Sequence, residues 1–315
     1  MTTLIYSHPA CLEHRPGAHH PESPDRLLAV LQALQTPAFA EAQWRDAPMG
    51  TREQVLRVHT DDYVEHVEAL SPSSGLRLLD AGDTVMSPGT LQAVMRCVGA
   101  ACAAVDAVAS GEARNAFCAT RPCGHHAEAD RAMGFCVFNQ AAIAALHARA
   151  ARGLQRVAVM DFDVHHGNGT QNSFWRDPAL FYGSCHQAPF YPGTGARHET
   201  GVAHNIVNIP LSRPCGSEKF RDSMRNEMLP ALRRFAPDLL IISAGFDAHH
   251  LDPLGGLDFT DDDFHWITRE LMAVADESAH GRVVSVLEGG YSLEGLASGS
   301  AAHVRALMET PIGAF

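Results

Sequence analysis

The 315-residue sequence has little that would bring it to nucleic acid or to a membrane. Its 24 basic residues are outnumbered by 36 acidic ones, and the formal net charge is −12, which disfavours binding to phosphate backbones or to anionic lipid surfaces. The longest apolar stretch, Ala93 to Ala109, is interrupted by Arg96 and Asp106, so we do not expect it to span a bilayer. No basic and then apolar leader opens the chain. We therefore expect a soluble, cytoplasmic protein without nucleic-acid or membrane partners.

The eight cysteines include no C-x-x-C pair, the spacing of zinc ribbons and of thioredoxin-like redox motifs. We interpret them as buried thiols in a reducing compartment. No low-complexity linker and no internal repeat interrupts the chain. We therefore predict one domain over residues 1–315.

Short apolar runs alternate with longer segments of helical periodicity. Strands are predicted at Thr3–Ser7, Ala116–Thr120, Arg156–Met160, Leu180–Ser184, Ile206–Pro210, Leu239–Ser243 and Val283–Leu287. Helices are predicted at Asp25–Leu34, Gln54–Ala69, Gly89–Ala109, Gln140–Arg152, Glu218–Phe235, Asp261–Ser278 and Leu293–Met308. This alternation predicts an α/β fold with a mostly parallel central sheet, helices on both faces, and a site at the carboxyl ends of the strands.

The strongest chemical signal follows the strand that ends near Met160. Successive side chains of a strand point to opposite faces, so Asp161, Asp163 and His165 project to the same side. Two carboxylates and an imidazole suit a hydrolytic zinc site, which usually has three protein ligands and an open position. The alternative is a polar strand end that meets water.

Two adjacent histidines, His125 and His126, follow another predicted strand in a glycine-flanked loop. Imidazoles placed there could supply a general base and an electrostatic or proton-donating partner. Pairing alone does not decide this, because the chain also contains His19-His20 and His249-His250. The position at a strand end favours His125 and His126.

Two further strands end in polar groups. Asp247 follows an apolar strand, where a buried carboxylate needs a partner, and it is the natural third zinc ligand; a turn or cap residue is the alternative. Gly289 and Gly290 allow a close turn that brings Tyr291 over the same edge. Its hydroxyl could bind a developing oxyanion, or the ring could simply cover the core.

Six ordered blocks, spread from about His20 to Tyr291, together resemble the zinc-dependent histone deacetylase family. They are Arg-Pro-Cys-Gly-His-His, Gly-Phe-Cys, Asp-Phe-Asp-Val-His-His-Gly-Asn-Gly, Pro-Gly-Thr-Gly, Ser-Ala-Gly-Phe-Asp and Glu-Gly-Gly-Tyr. The resemblance is closest to class II enzymes and bacterial histone deacetylase-like amidohydrolases, because Asn168 stands where class I members usually carry aspartate. The related arginases share the fold but hold two manganese ions with an Asp-x-His-x-Asp pattern, which this chain lacks.

The resemblance implies one zinc ion per chain, held by Asp163, His165 and Asp247. It makes His126 the general base and then the acid, and His125 an electrostatic partner. The remaining roles that it implies are Asp161 orienting His125, Asn168 bonding to His126, and Tyr291 binding the substrate carbonyl oxygen.

The resemblance also implies a structural potassium ion and a narrow substrate channel. Potassium ligands would be Asp161, Ser184 and Cys185, with the carbonyls of Asp163 and His165. Channel residues would be the aromatic walls Phe135 and Tyr191, the backbone of Gly134 and Gly289, the rim carboxylate Asp83, and Leu254 at a position where polyamine-preferring class II enzymes can carry glutamate.

The predicted function is therefore removal of acetyl or short acyl groups from lysine side chains by metal-activated water. An acetylpolyamine amidohydrolase is the near alternative, and the negative net charge would suit either cation-bearing substrate. A two-manganese ureohydrolase and a non-catalytic acyl-binding protein are the distant alternatives. The sequence leaves open whether the chain forms a homo-oligomer and where the loop from Pro9 to Pro24 lies.

Overall fold

Eight parallel strands form the centre of the computed structural model, which describes residues 2–310. Their order across the sheet is β2-β1-β5-β10-β9-β6-β7-β8, and β3 and β4 form a separate antiparallel pair. The strands are β1 Thr3–Ser7, β2 Gln43–Asp46, β3 Arg77–Leu78, β4 Val85–Met86, β5 Asn115–Cys118, β6 Val157–Asp161, β7 Leu180–Gln187, β8 Ile206–Leu211, β9 Leu239–Ala244 and β10 Val283–Leu287. The predicted fold class, with a parallel central sheet between helices, is confirmed.

Helices cover both faces of this sheet. They are α1 Pro24–Leu34, α2 Arg52–Val55, α3 Asp61–Leu70, α4 Thr90–Ser110, α5 Gln140–Arg152, α6 Asn168–Phe174, α7 Ser217–Ser223, α8 Leu229–Phe235, α9 Asp261–Ser278 and α10 Leu293–Met308. Along β9, Leu240 and Ile242 pack into the core on one face, while Leu239 and Ile241 pack into the core on the other. Both faces are buried, so this strand is continuously apolar instead of alternating.

Two helix predictions need correction. The single helix predicted over Gln54–Ala69 is wrong, because the backbone breaks between α2 and α3 and restarts at Thr60, whose side chain accepts a hydrogen bond from the Tyr63 N–H. The segment Glu218–Phe235 is helical but contains a π turn at Met224–Met228. It precedes Pro230, which has no N–H to donate to an ordinary helical bond.

The sequence prediction also missed the short or polar elements. Strand β2 reads Gln-Trp-Arg-Asp and pairs with β1 at the edge of the sheet. One of its faces meets solvent, so it lacks the apolar run by which buried strands are recognised. Helix α6 has only seven residues, too few for a helical period to show.

Helix α4 contains the apolar stretch noted in the sequence. By length and composition alone it could cross a membrane, with a mean hydropathy of 1.5 in its most apolar window, but 67% of that window is buried inside the protein. The cores on two sides of the helix account for its apolar character: Ala100 and Ala104 pack into one, and Val94 and Val98 into another.

The four central strands β5, β10, β9 and β6 are neighbours, and this adjacency positions the site. Asp161, the last residue of β6, pairs with Ser243 of β9 and Ser184 of β7. In a parallel sheet all carboxyl ends meet at one edge. The segments that follow these four strands are therefore brought together there.

Candidate active site

Asp163, His165 and Asp247 form a compact group that could hold a metal ion. One potential ligand atom from each lies within 4.8 Å of the others. The His165 Nδ1 atom is 3.1 Å from Asp163 Oδ1 and 3.2 Å from Asp247 Oδ2. Both carboxylates are completely buried. Two buried carboxylates around one imidazole nitrogen form a ligand set suited to zinc with an open fourth position.

The surroundings of this group also fit a cation. Asp247 Oδ2 is buried without a hydrogen-bond partner, and burial together with the negative charge of Asp163 raises the pKa of Asp247 to about 7. A divalent ion would neutralise the negative charge of the two carboxylates and would give the unpartnered Asp247 oxygen a ligand bond. Gly289 leaves room for the carboxylates, because a Cβ atom there would lie 2.1 Å from Asp247 Oδ2.

Asp161 does not join this group, so the initial interpretation of Asp161, Asp163 and His165 as one ligand set is wrong. Strand β6 ends at Asp161, and the period of two stops with it. Asp161 Oδ1 accepts the Asp163 N–H at 3.1 Å, and Asp163 Oδ1 accepts the His165 N–H at 2.9 Å. These two turns direct Asp163 and His165 toward Asp247 and leave Asp161 behind them.

The histidine pair lies beside the metal-binding group. His125 Nδ1 is 2.9 Å from Asp161 Oδ2, and His126 Nδ1 is 2.9 Å from Asn168 Oδ1, which are the contacts that the family resemblance implied. Burial disfavours a charge on His125, but the carboxylates of Asp163 and Asp161 outweigh it and raise the pKa of His125 well above its usual value. Burial, together with the positive charges of the His125 and His165 imidazoles, lowers the pKa of His126 well below its usual value. The pKa shifts of the two neighbouring imidazoles thus have opposite directions, which favours the charged form of His125 and the neutral form of His126.

A cavity of about 660 Å³ opens over this edge of the sheet. It is lined by Pro16, Gly17, His19, His20, Pro21, Asp83, His126, Gly134, Phe135, His165, Phe190, Tyr191, Leu254 and Tyr291. One cavity therefore contains the predicted base His126, the candidate metal ligand His165 and Tyr291. All predicted channel residues except Gly289 line the same cavity. Part of the loop from Pro9 to Pro24 lies at the mouth of this cavity, which answers a question that the sequence left open.

The channel wall at Gly134 and Phe135 is held in an unusual conformation. Both residues have positive φ, +56° and +68°, a region that is costly for phenylalanine. A Cβ atom at Gly134 would lie 2.4 Å from the His126 ring, so glycine is required there. The Phe135 N–H donates to Thr84 Oγ1 at 3.2 Å, and the His20 ring packs edge-on against Phe135 at 4.7 Å.

Comparison with known proteins agrees with this geometry. The family model for the histone deacetylase domain matches residues 20–307. The chain is 38% identical to histone deacetylase 14, chloroplastic, of Arabidopsis thaliana, over 97% of this chain and 76% of that protein. It is also 38% identical to the histone deacetylase-like amidohydrolase of Pseudomonas aeruginosa, over 92% of this chain and 82% of that protein. The chain belongs to the histone deacetylase family.

A solved structure, described as the HDA15 HD domain, superposes with a TM-score of 0.92 at 34% identity and covers 99% of this chain and 91% of that one. Membership of the deacetylase family supports hydrolysis of an acyl amide. The predicted fold and family resemblance are therefore confirmed, whereas the roles of individual residues stay predictions.

The family's potassium ion, predicted at Asp161, Ser184 and Cys185, also stays a prediction. Ser184 Oγ lies 2.9 Å from His186 Nδ1, and Asp161 Oδ2 accepts hydrogen bonds from His125 and from the Tyr182 hydroxyl. These side-chain oxygens already have partners. The backbone carbonyls of Asp163 and His165 are the groups left to test.

Several residues that build this deacetylase-family site were missed by sequence reasoning. Glu288 accepts the Gly124 N–H at 2.7 Å and the His125 N–H at 3.2 Å, and thereby fixes the histidine loop. Phe190 stacks on the His165 ring at 5.1 Å with an interplanar angle of 15°. Glu288 is part of the Glu-Gly-Gly-Tyr block, and its position at a strand end was the available signal.

Tyr291 is also held by residues that the sequence did not indicate. Its N–H donates to Asp252 Oδ2 at 2.6 Å, and the Arg26 guanidinium lies 4.8 Å from the ring centroid. Arg26 is fully buried and donates to the Gly290 carbonyl at 2.6 Å. Burial, with Cys123 nearby, raises the pKa of Tyr291 well above its usual value, so the hydroxyl remains a hydrogen-bond donor at neutral pH.

Proposed function

We propose that the protein is a zinc-dependent hydrolase that removes acetyl or short acyl groups from lysine side chains. The observation that carries this proposal is the shared cavity. His126, His165 and Tyr291 all line it, and His165 belongs to a three-residue group with an unpartnered carboxylate oxygen. This arrangement provides a metal position, a neutral base and a hydroxyl donor around one substrate position.

Asp163, His165 and Asp247 would hold the zinc ion, which when bound polarises the substrate carbonyl and makes water acidic enough to react at neutral pH. His126 takes the proton from the attacking water and then gives it to the leaving amine. The Tyr291 hydroxyl donates a hydrogen bond to the carbonyl oxygen as negative charge develops on it. His125, whose charged form Asp163 and Asp161 favour, acts as an electrostatic partner next to the His126 ring, 4.0 Å away.

The cavity walls support a linear acyl-amine substrate. Phe135 and Tyr191 are aromatic and line the cavity with Leu254 at its mouth, and the Leu254 side chain is 36% exposed. An apolar residue at this point offers no charge to an internal ammonium group of a polyamine. The rim therefore favours acyl-lysine over acetylated polyamines.

A substrate panel tests this proposal. Hydrolysis rates should be measured for acetyl-lysine peptides, trifluoroacetyl-lysine, longer acyl-lysines, and acetylated putrescine and spermidine, each with and without a zinc chelator. We expect chelator-sensitive hydrolysis that is fastest on an acyl-lysine. Faster hydrolysis of the acetylated polyamines would show that these, and not acyl-lysine, are the preferred substrates. About two manganese ions per chain would indicate a two-manganese ureohydrolase instead of a zinc hydrolase.

A second test addresses Tyr291. The substitution Tyr291→Phe removes only the hydroxyl group, and loss of one such donor typically lowers the rate by about 100-fold or more. Zinc content, measured by elemental analysis, and binding of a hydroxamate should persist. Unchanged turnover in this variant would refute the role of the hydroxyl.

A further inference from the structure

The Asn168 side chain connects His126 to a carboxylate, that of Glu128, to which neither the sequence analysis nor the proposed mechanism gives a role. Asn168 Oδ1 is 2.9 Å from His126 Nδ1. On its other side, Asn168 Nδ2 donates to Glu128 Oε1 at 2.7 Å and to the His126 carbonyl at 3.3 Å. Asn168 is buried, and only 14% of the Glu128 side chain is exposed.

These contacts determine which way the Asn168 amide points. A carboxylate can only accept hydrogen bonds, so the atom 2.7 Å from Glu128 must be the amide nitrogen. The amide oxygen then faces His126 and can only accept, so His126 must carry its proton on Nδ1. In a neutral imidazole the other nitrogen, Nε2, is then an acceptor. This is the form that a general base requires.

We infer that Glu128 is a positioning residue, which acts through Asn168 to hold His126 in the tautomer with a basic Nε2. This inference deepens the proposed function and rests on it for the role of His126. We call Glu128, Asn168 and His126 the pocket-side relay. Neither Glu128 nor Asn168 lines the cavity, so these two residues affect turnover only through His126, without contact with the substrate.

Glu128 is itself held from two sides. Its second oxygen forms an ion pair with the Arg131 guanidinium at 2.8 Å, and its backbone carbonyl lies 2.9 Å from His59 Nδ1. The carboxylate therefore has a defined position next to the amide. Without it, the amide of Asn168 could rotate and offer its NH2 group to His126, which would favour the other tautomer.

An exchange of functional groups tests the relay. Glu128→Gln removes the carboxylate that orients the amide, and Asn168→Asp places two carboxylates in contact. Each single substitution should lower kcat by about 10- to 100-fold, as is typical for groups that orient a reacting side chain, with little change in KM. In the double variant, the new amide at position 128 donates to the new carboxylate at position 168, which again accepts the Nδ1 proton. We expect kcat of the double variant to exceed that of either single variant.

The chain offers a matched control. Gln171 Nε2 donates to Glu199 Oε2 at 2.7 Å, and Gln171 Oε1 is 3.0 Å from His166 Nε2. We call Glu199, Gln171 and His166 the buried-side relay, because the other nitrogen of His166 lies 2.8 Å from Thr194 Oγ1 and not in the cavity. Glu199→Gln should leave kcat close to that of the unmodified protein.

A spectroscopic readout separates this inference from the proposed function. In zinc-loaded protein with ¹⁵N-labelled histidine, the ring nitrogen shifts of His126 should report a protonated Nδ1 in the unmodified protein and in the double variant. Glu128→Gln should show the other tautomer or a mixture. A protonated Nε2 in the unmodified protein, or a double variant no faster than the singles, would overturn the inference. A protein that hydrolyses no acylated amine would refute the proposed function, and the nitrogen shifts would still test the relay.

Discussion

Helix α6 contributes to two hydrogen-bonded relays that have the same order of groups, glutamate to amide to histidine. Asn168 and Gln171, three residues apart on this helix, each donate an amide N–H to a glutamate at 2.7 Å and each present an oxygen to a histidine. In the pocket-side relay the histidine borders the cavity. In the buried-side relay its second nitrogen is bound to a threonine hydroxyl.

The difference shows that the local hydrogen bonds do not make a histidine a base. Burial lowers the pKa of His166 to about 4, so this ring is neutral, as His126 is, yet it has no nitrogen free for a substrate. His126 differs because the cavity opens over its ring, beside the metal-binding group. Both histidines follow strands at the carboxyl edge of the sheet, so access to the cavity, and not side-chain chemistry, separates a reacting group from a structural one.

The largest effect should come from matched substitutions in the two histidines. Asparagine retains a group near the position of Nδ1 but has none at Nε2. We expect His126→Asn to lower kcat by about 100- to 10,000-fold, the usual contribution of a general base. His166→Asn should destabilise the fold by about 1–3 kcal/mol by leaving Gln171 without one partner, while kcat per folded molecule stays near normal. Kinetics and urea unfolding measure both quantities.

The comparison fails if the two substitutions have similar kinetic effects. A large loss of kcat in His166→Asn, with zinc content and stability retained, would mean that the buried-side relay takes part in the reaction. Retained turnover in His126→Asn would mean that another group is the base. Zinc content must be measured for both, because His166 directly follows His165, which we propose as a zinc ligand.

Removal of the metal should lower the free energy of unfolding through the group formed by Asp163, His165 and Asp247. Without a cation, the buried carboxylates of Asp163 and Asp247 repel each other, whereas zinc at 1,000 times its dissociation constant adds about 4 kcal/mol to the free energy of unfolding. Asp247→Asn removes one of these charges. We therefore expect this variant to gain little stability from zinc and to be at least as stable as the unmodified protein in chelator.

Urea unfolding with and without zinc measures this effect, and the ¹⁵N shifts of His166 serve as an internal reference. The shifts of the buried-side relay should not change when the metal is removed. Equal stabilisation of Asp247→Asn and the unmodified protein by zinc would show that the ion binds elsewhere.

The same contrast explains what the sequence could predict. The strand ends at Asp161, Asp247 and Tyr291 were recognisable because each follows a short apolar run, and parallel strands bring their carboxyl ends together. Asp247 lies in one group with Asp163 and His165, as the sequence analysis expected, and its role as a metal ligand stays a prediction. The alternation of side chains along a strand gave a wrong prediction for Asp161, because β6 ends there and the chain turns.

Residues that act through other side chains left no comparable signal. Glu128 and Glu199 are ordinary acids in loops, and their contacts are 40 and 28 residues away in the chain. Arg26 lies on α1, 264 residues from the Gly290 carbonyl that it binds. Such contacts depend on the packing of the whole domain, whereas a motif records only neighbours in sequence.

The smallest effect concerns the support beneath the pocket-side relay. His59 Nδ1 lies against the Glu128 carbonyl at 2.9 Å, and its Nε2 accepts the Asn139 N–H at 2.9 Å, so the ring must be neutral. Burial lowers the pKa of His59 to about 4 from an ordinary value of 6.5. The unfolded chain then binds a proton that the folded chain does not, and stability falls as pH drops from about 6.5 toward 4.

Between pH 6.5, where the unfolded histidine is half protonated, and pH 5, the loss from this one group amounts to about 1.6 kcal/mol. His59→Gln, which does not titrate, should therefore lose about 1.6 kcal/mol less than the unmodified protein over this interval, although it is less stable at neutral pH. Urea unfolding at the two pH values measures the difference. An identical pH dependence in both proteins would mean that His59 is not held neutral. A protonated ring would still donate from Nδ1 to the Glu128 carbonyl, but its Nε2 could no longer accept the Asn139 N–H, so the contact with Asn139 would be the one that fails.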